Sequence, residues 1–248
     1  MFRGVCVLWV MAWHYVINFS NRKKYRVDNK ELDPQIKKIY RQKIYGYLQD
    51  LSRKMIKAAG TTVEVKGREN LPVEGPVVYM ITHKGLYDAP VFATIVDDPC
   101  IFIGKEEMKK FPIMGDWFSA TGSIFLARED MKQSLQAILK GIDELKHGQS
   151  VGIFPEGTRA KGDEMGEFKA GSFKLPIKAN VPIVPIAIQN THKVLEMSGQ
   201  IGIGKATVYV NIGKMIDVPN LTKEQIKSLP KDVEDYTREL LKEITGID

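Results

Sequence analysis

The stretch Val77-Val78-Tyr79-Met80-Ile81-Thr82-His83-Lys84-Gly85-Leu86-Tyr87-Asp88-Ala89-Pro90 decides how the rest of the chain reads. Its first five residues are apolar or aromatic, as in a short buried strand. Such a strand delivers His83 to its carboxyl end, where open α/β sheets place their chemistry. Asp88 follows five positions later. A chain that turns back through Gly85 lets the carboxylate reach one imidazole nitrogen, fix the tautomer and leave the other free to take a proton. That is two-thirds of a hydrolase triad with no serine beside it. The same residues equally fit a structural histidine at a strand end with Asp88 capping the next helix, so the surrounding sequence has to decide.

Outward from this stretch, short apolar strands alternate with helical segments. Residues 61–66 alternate like a strand, and the turn-rich segment 71–76 leads into the opening strand. Residues 100–103 form a strand followed directly by Gly104-Lys105, and 123–127 form another that ends at Arg128. Residues 130–147 make an amphipathic helix with Leu135, Ile138, Leu139, Ile142 and Leu145 on one face. The strand 151–154 ends in Pro155-Glu156-Gly157-Thr158-Arg159. Strands over 183–188 and 206–212, the latter nearer an edge, precede an amphipathic helix over 233–244. This alternation predicts an α/β fold, a largely parallel central sheet with helices on both faces.

Three of these strands end in chemistry-bearing side chains: His83 with Asp88, Arg128, and Glu156 with Arg159, while Lys105 follows a fourth. Strand ends at one edge of a doubly wound sheet converge, so the set reads as a general base beside a cationic pocket. Cations there invite a phosphate.

His83-x4-Asp88, Gly122-Ser123-Ile124-Phe125-Leu126-Ala127-Arg128, Phe154-Pro155-Glu156-Gly157-Thr158-Arg159 and Val181-Pro182-Ile183-Val184-Pro185-Ile186 stand in the order of four motifs of the glycerolipid acyltransferases. The chain most resembles the bacterial 1-acyl-sn-glycerol-3-phosphate acyltransferases, the PlsC type, over about residues 77–190. The resemblance implies acyl transfer from acyl carrier protein or coenzyme A to lysophosphatidic acid, giving phosphatidic acid at the membrane. It implies His83 as general base, Asp88 as its orienter, and Arg128 and Arg159 on the substrate phosphate. Glu156 then shapes the substrate loop with Gly157 and Thr158. Lys105 joins the phosphate site as a point charge, whereas arginine offers a bidentate fork; a solvated lysine at a strand end is the alternative. Thr82, Lys84, Gly85 and Ala160 depart from the residues common in the family, which touches substrate detail more than the base. A thioester is already activated, so the chemistry needs no cofactor and no serine nucleophile, only a base for the attacking alcohol.

The 248 residues suffice for one large domain, expected over 61–248, and an appendage over 1–60. Cys6 and Cys100 match no disulfide framework or zinc spacing, which suits a reducing compartment and argues against a metal site. Residues 1–60 hold 13 Lys/Arg against 4 Asp/Glu, a net +9, and the remainder is net −3. One part of the chain therefore meets a polyanion, and its interspersed apolar residues favour a membrane over nucleic acid. Residues 1–19 are apolar and aromatic, lack a signal-peptide cleavage site, and carry Arg3 and His14. The basic cluster Arg22, Lys23, Lys24 and Arg26 follows. Residues 34–59 then show a helical apolar stripe flanked by Lys37, Lys38, Arg41, Lys43, Arg53, Lys54 and Lys57. The expectation is a two-helix anchor in one leaflet, on the cytoplasmic face of the cell membrane.

Gly199–Lys205 mimics a P-loop, but Ala206 stands where a hydroxyl must hold magnesium, so a β-turn is expected. Ser198 lacks the first glycine of a nucleophile elbow, and His14 and His192 read as structural.

Overall fold

The computed structural model describes residues 2–28, 31–126, 131–160, 164–195 and 204–245. The chain opens with helices α1 (Phe2–Ile17), α2 (Phe19–Tyr25) and α3 (Pro34–Ala59), followed by strand β1 (Thr62–Lys66). Then come β2 (Val78–Ile81), α4 (Asp88–Ile95), β3 (Cys100–Lys105), α5 (Pro112–Ala120), β4 (Ile124–Leu126) and α6 (Met131–Lys146). The remainder is β5 (Ser150–Ile153), α7 (Lys174–Ala179), β6 (Ile183–Gln189), α8 (His192–Leu195), β7 (Thr207–Ile212) and α9 (Lys223–Thr245).

Seven strands form one sheet in the order β1-β7-β6-β2-β5-β3-β4. Every pairing is parallel except β6 with β7. Strands β6, β2, β5, β3 and β4 therefore point the same way and end at one edge. All four residues of β2 are buried, as expected of a strand covered on both faces. Its side chains alternate: Tyr79 and Ile81 enter an apolar cluster with α3 and α4, while Val78 and Met80 enter another with α6, α7 and α9.

Helix α3 shows why this segment is helical. Pro34 occupies its first turn, Asp33 Oδ1 accepts the N–H of Gln35 at 2.9 Å, and Gly60 ends it in the left-handed conformation at φ 68°. Ile44, Leu51, Met55 and Ala59 are buried in the same cluster as the sheet. The second helix of the N-terminal pair is thus itself part of the core.

The basic residues read from sequence as the flank of a membrane anchor divide in two. Arg22 is 2% exposed; its Nε donates to Asp116 Oδ2 at 2.6 Å and its guanidinium lies over the Tyr15 ring at 3.5 Å. Arg26 reaches both Asp116, at 3.0 Å, and Asp28, at 2.7 Å. Arg41 and Lys37 hold Glu144 of α6 at 2.8 and 2.9 Å, and Lys54 holds Asp50 at 2.6 Å. Arg22, Arg26, Lys37 and Arg41 thus brace the helices against the α/β core, each meeting a carboxylate that folding brings to it, whereas Lys54 pairs within α3 itself. The structure agrees with the reading of His14 as structural: it is 1% exposed and hydrogen-bonds Asp50, and burial holds its pKa below the ordinary value despite that carboxylate.

Candidate active site

Strand β2 stops at Ile81, and Thr82 ties the neighbouring strand to it: its hydroxyl donates to the Ile188 carbonyl at 3.0 Å and accepts the Ile188 N–H at 2.8 Å. The next residue, His83, leaves the sheet at its carboxyl edge. The chain turns at once, with the Asp88 N–H donating to the Gly85 carbonyl at 3.2 Å. This turn returns the Asp88 carboxylate to His83, and Nδ1 lies 2.8 Å from Oδ2.

Asp88 is fully buried, and its carboxylate does not cap α4. Oδ2 accepts the N–H groups of Lys84 and Gly85 at 2.7 and 2.9 Å, and Oδ1 accepts the Thr191 hydroxyl. A carboxylate already accepting three other donors takes a fourth from His83. Nδ1 therefore carries the proton, and Nε2 presents a lone pair. The imidazole remains 20% exposed, so that lone pair is reachable.

The loop after β5 completes the surround. The Phe154 ring stacks on the His83 ring with centroids 4.1 Å apart and planes 19° apart, fixing the plane of the imidazole. Glu156 is 3% exposed; it accepts the His83 N–H on Oε1 at 2.7 Å and the Gly166 N–H on Oε2 at 2.8 Å. Burial pushes its carboxyl above the ordinary value, against the two N–H donors that favour the charged form. Gly157 takes φ 74° to close a turn onto the Phe154 carbonyl, a conformation that costs a residue with a Cβ. The Ala160 N–H then donates to the His83 carbonyl at 2.8 Å, which seats Thr158 and Arg159, both exposed, beside the dyad.

Of the residues singled out from sequence, His83, Asp88 and Glu156 are joined by hydrogen bonds, and Gly157, Thr158 and Arg159 lie on the loop bonded to His83. Lys105 is exposed at the end of β3, in register with Leu126 on the same sheet edge. Arg128 and most of the Gly199–Lys205 turn lie outside the described residues. Three contributors escape sequence reading. Thr191 sits two residues past β6 with no motif around it. Phe154 is quoted in a motif, but nothing in the sequence says its ring meets His83. Lys84 is 1% exposed, and its ammonium donates to the Glu164 carbonyl, tying the dyad loop to the segment beyond Arg159. Among the described residues no cluster of three metal-binding side chains occurs.

The chain as a whole is similar to known proteins. A 1-acyl-sn-glycerol-3-phosphate acyltransferase of Borreliella burgdorferi is 30% identical over 177 residues, 70% of each chain. Its namesake in Saccharomyces cerevisiae is 31% identical over 189 residues, 75% of this chain and 61% of that one. The 1-acyl-sn-glycerophosphate (LPA) acyltransferase PlsC of Thermotoga maritima superposes with a TM-score of 0.75 over 99% of both chains at 22% identity, a likeness of fold. The family model described as Acyltransferase matches residues 62–189, more than half of the chain and the whole of the site just described apart from Thr191, and the protein belongs to that family of enzymes.

Proposed function

We propose that the protein transfers an acyl group from a thioester, on acyl carrier protein or coenzyme A, to the free sn-2 hydroxyl of 1-acyl-sn-glycerol-3-phosphate, forming phosphatidic acid. The observation that carries this reading is the His83 Nδ1–Asp88 Oδ2 hydrogen bond at 2.8 Å, with an accessible ring nitrogen beside the loop of Arg159. The names of the relatives supply the substrate class.

In this mechanism Nε2 of His83 removes the hydroxyl proton as the alcohol oxygen bonds to the thioester carbonyl carbon. Asp88 holds the ring and favours the imidazolium that forms. The carbon–sulfur bond then breaks, and the thiolate takes the proton back from His83, so the enzyme ends as it began. Arg159, with Arg128 and Lys105, binds the acceptor phosphate. No covalent enzyme intermediate is required.

The acceptor is a lipid, and α1 offers a surface suited to it. Val5, Leu8, Trp9, Trp13 and Val16 are each more than half exposed, and Trp9 stacks on Trp13 at 5.8 Å. No described helix is long and apolar enough to cross a membrane. The 16 residues of α1 extend roughly 24 Å against a hydrocarbon core of about 30 Å. We infer that α1 lies within one leaflet, on the cytoplasmic face, with α3 bracing it.

The test is an acyl-transfer assay with lysophosphatidic acid and glycerol-3-phosphate as paired acceptors. Preference for lysophosphatidic acid, lost by about 10²- to 10⁴-fold in His83→Ala, supports the reading. Preference for glycerol-3-phosphate would move the acceptor assignment, and unchanged turnover in His83→Ala would remove the base.

A further inference from the structure

Phe154 belongs to two places at once. One face of its ring packs on His83, and the residue also lines a groove of about 420 Å³. Leu126, Ile138 and Ile153 make the apolar part of that groove, and Leu135 of α6, 51% exposed, stands at its rim. The charged side chains among the described lining residues are Lys169 and Lys174, and no carboxylate lines it there. Lys169 is held in place: its N–H donates to the Pro155 carbonyl at 2.8 Å, and its Cγ lies 3.7 Å from where a side chain on Gly157 would begin. The groove thus begins at the ring that packs on His83, is walled mainly by apolar side chains with Ser134 and Ser172 among them, and carries positive charge.

We propose that this groove binds the phosphopantetheine arm of the acyl donor, with the thioester at the Phe154 end and the arm's phosphate on Lys169 and Lys174. The inference rests on the acyl-transfer reading above. Coenzyme A and acyl carrier protein share this arm, an uncharged chain of methylenes and amides ending in a phosphate, which is esterified to a serine in the carrier protein and part of a diphosphate in coenzyme A. An apolar trough with ammonium groups complements both parts of it. A fatty chain would gain nothing from two lysines, and the acceptor phosphate is assigned to Arg159, Arg128 and Lys105, none of which is among the groove's described lining residues.

The experiment uses the full chain and three donors carrying the same acyl group: the coenzyme A thioester, the acyl carrier protein thioester, and the pantetheine thioester, which lacks the phosphate. Wild-type turnover names the carrier. With that carrier, a Lys169→Ala/Lys174→Ala double variant is expected to raise the donor KM about tenfold, the scale of a lost charge-assisted contact. The acceptor KM stays put, and the pantetheine thioester is affected equally little in both proteins. The Lys169→Arg/Lys174→Arg variant restores the donor KM. An unmoved donor KM, an equal shift with the pantetheine thioester, or a shift in the acceptor KM would each overturn the assignment. Wild-type protein inert with all three donors would instead sink the acyl-transfer reading.

Discussion

The backbone N–H of His83 donates to Glu156 Oε1 at 2.7 Å, so this histidine is held by its main chain as well as by its ring. The other Glu156 oxygen holds Gly166 at 2.8 Å. Glu156→Gln swaps one acceptor for an NH₂ group and leaves a buried N–H facing a donor. We expect a loss of about 1–3 kcal/mol in stability and a fall in kcat of about tenfold or more through misplacement of His83. Urea unfolding and steady-state kinetics check the two separately; a normal kcat would reduce Glu156 to a purely structural bond.

Thr191 is the distant partner of Asp88, 103 residues away in sequence. Thr191→Val removes a donor from a fully buried carboxylate while keeping the shape of the side chain. The expected outcome is a kcat lowered about tenfold with little change in acceptor KM, because the residue acts on the orientation of His83. Thr191→Ser should recover most of the rate. If Val and Ser behaved alike, the hydroxyl would have no part in positioning.

Asp116 carries the bracing of the N-terminal helices, since Arg22, Arg26 and the Tyr15 hydroxyl all converge on it. Asp116→Asn leaves the buried Arg22 without its counter-charge, and we expect a cost of about 3 kcal/mol. Chemical denaturation measures it, and a cost below about 0.5 kcal/mol, the range of exposed pairs, would show the network to be superficial.

Much of the fold is written in local pattern, and the bracing is not. The three all-buried strands, β2, β5 and β6, and helix α6 follow from apolar runs and periodicity. Helix α9 begins ten residues before the periodic stretch suggests, running through Pro230. Thr222 and Gln225 hold its start reciprocally, with Gln225 Oε1 accepting from Thr222 N at 2.8 Å, a capping box readable in hindsight. The dyad was legible because six residues of one loop contain both partners. Thr191 and the ring of Phe154 were not, because what brings them to His83 is the lateral order of β6, β2 and β5, which no single stretch encodes. The fates of Arg22 and Arg41 were hidden for the same reason, their carboxylates being 94 and 103 residues away.

Acid should loosen the contact between α3 and α6. Burial would push the Glu144 carboxyl up, but Arg41 and Lys37 outweigh it and hold its pKa below the ordinary 4.5. The unfolded chain therefore binds this proton first. The stabilisation is whole above about pH 4.5 and is lost as pH falls through the lower folded value. Glu144→Gln should be less stable at neutral pH, and its stability should fall less steeply between about pH 5 and pH 3. Parallel slopes in wild type and variant would contradict the argument.

The exposed face of α1 makes a separate prediction. Leu8 is 65% and Trp13 54% exposed, so Leu8→Ser with Trp13→Ser should leave the fold intact while lowering partition into phospholipid vesicles about tenfold or more. Unaltered sedimentation with vesicles would defeat the leaflet assignment. Deleting residues 1–60 is a poorer test, because it strips Ile44, Leu51 and Met55 from the core.

The Asp88 carboxylate is gripped from its own loop and, through Thr191, from beyond β6, while Glu156 and Phe154 close in from beyond β5. A nascent or half-unfolded chain can own the histidine and the aspartate yet lack the two later strands that tune them. The expectation is that competence comes last, once assembly is finished. On dilution from denaturant, recovery of turnover should lag behind recovery of helical signal.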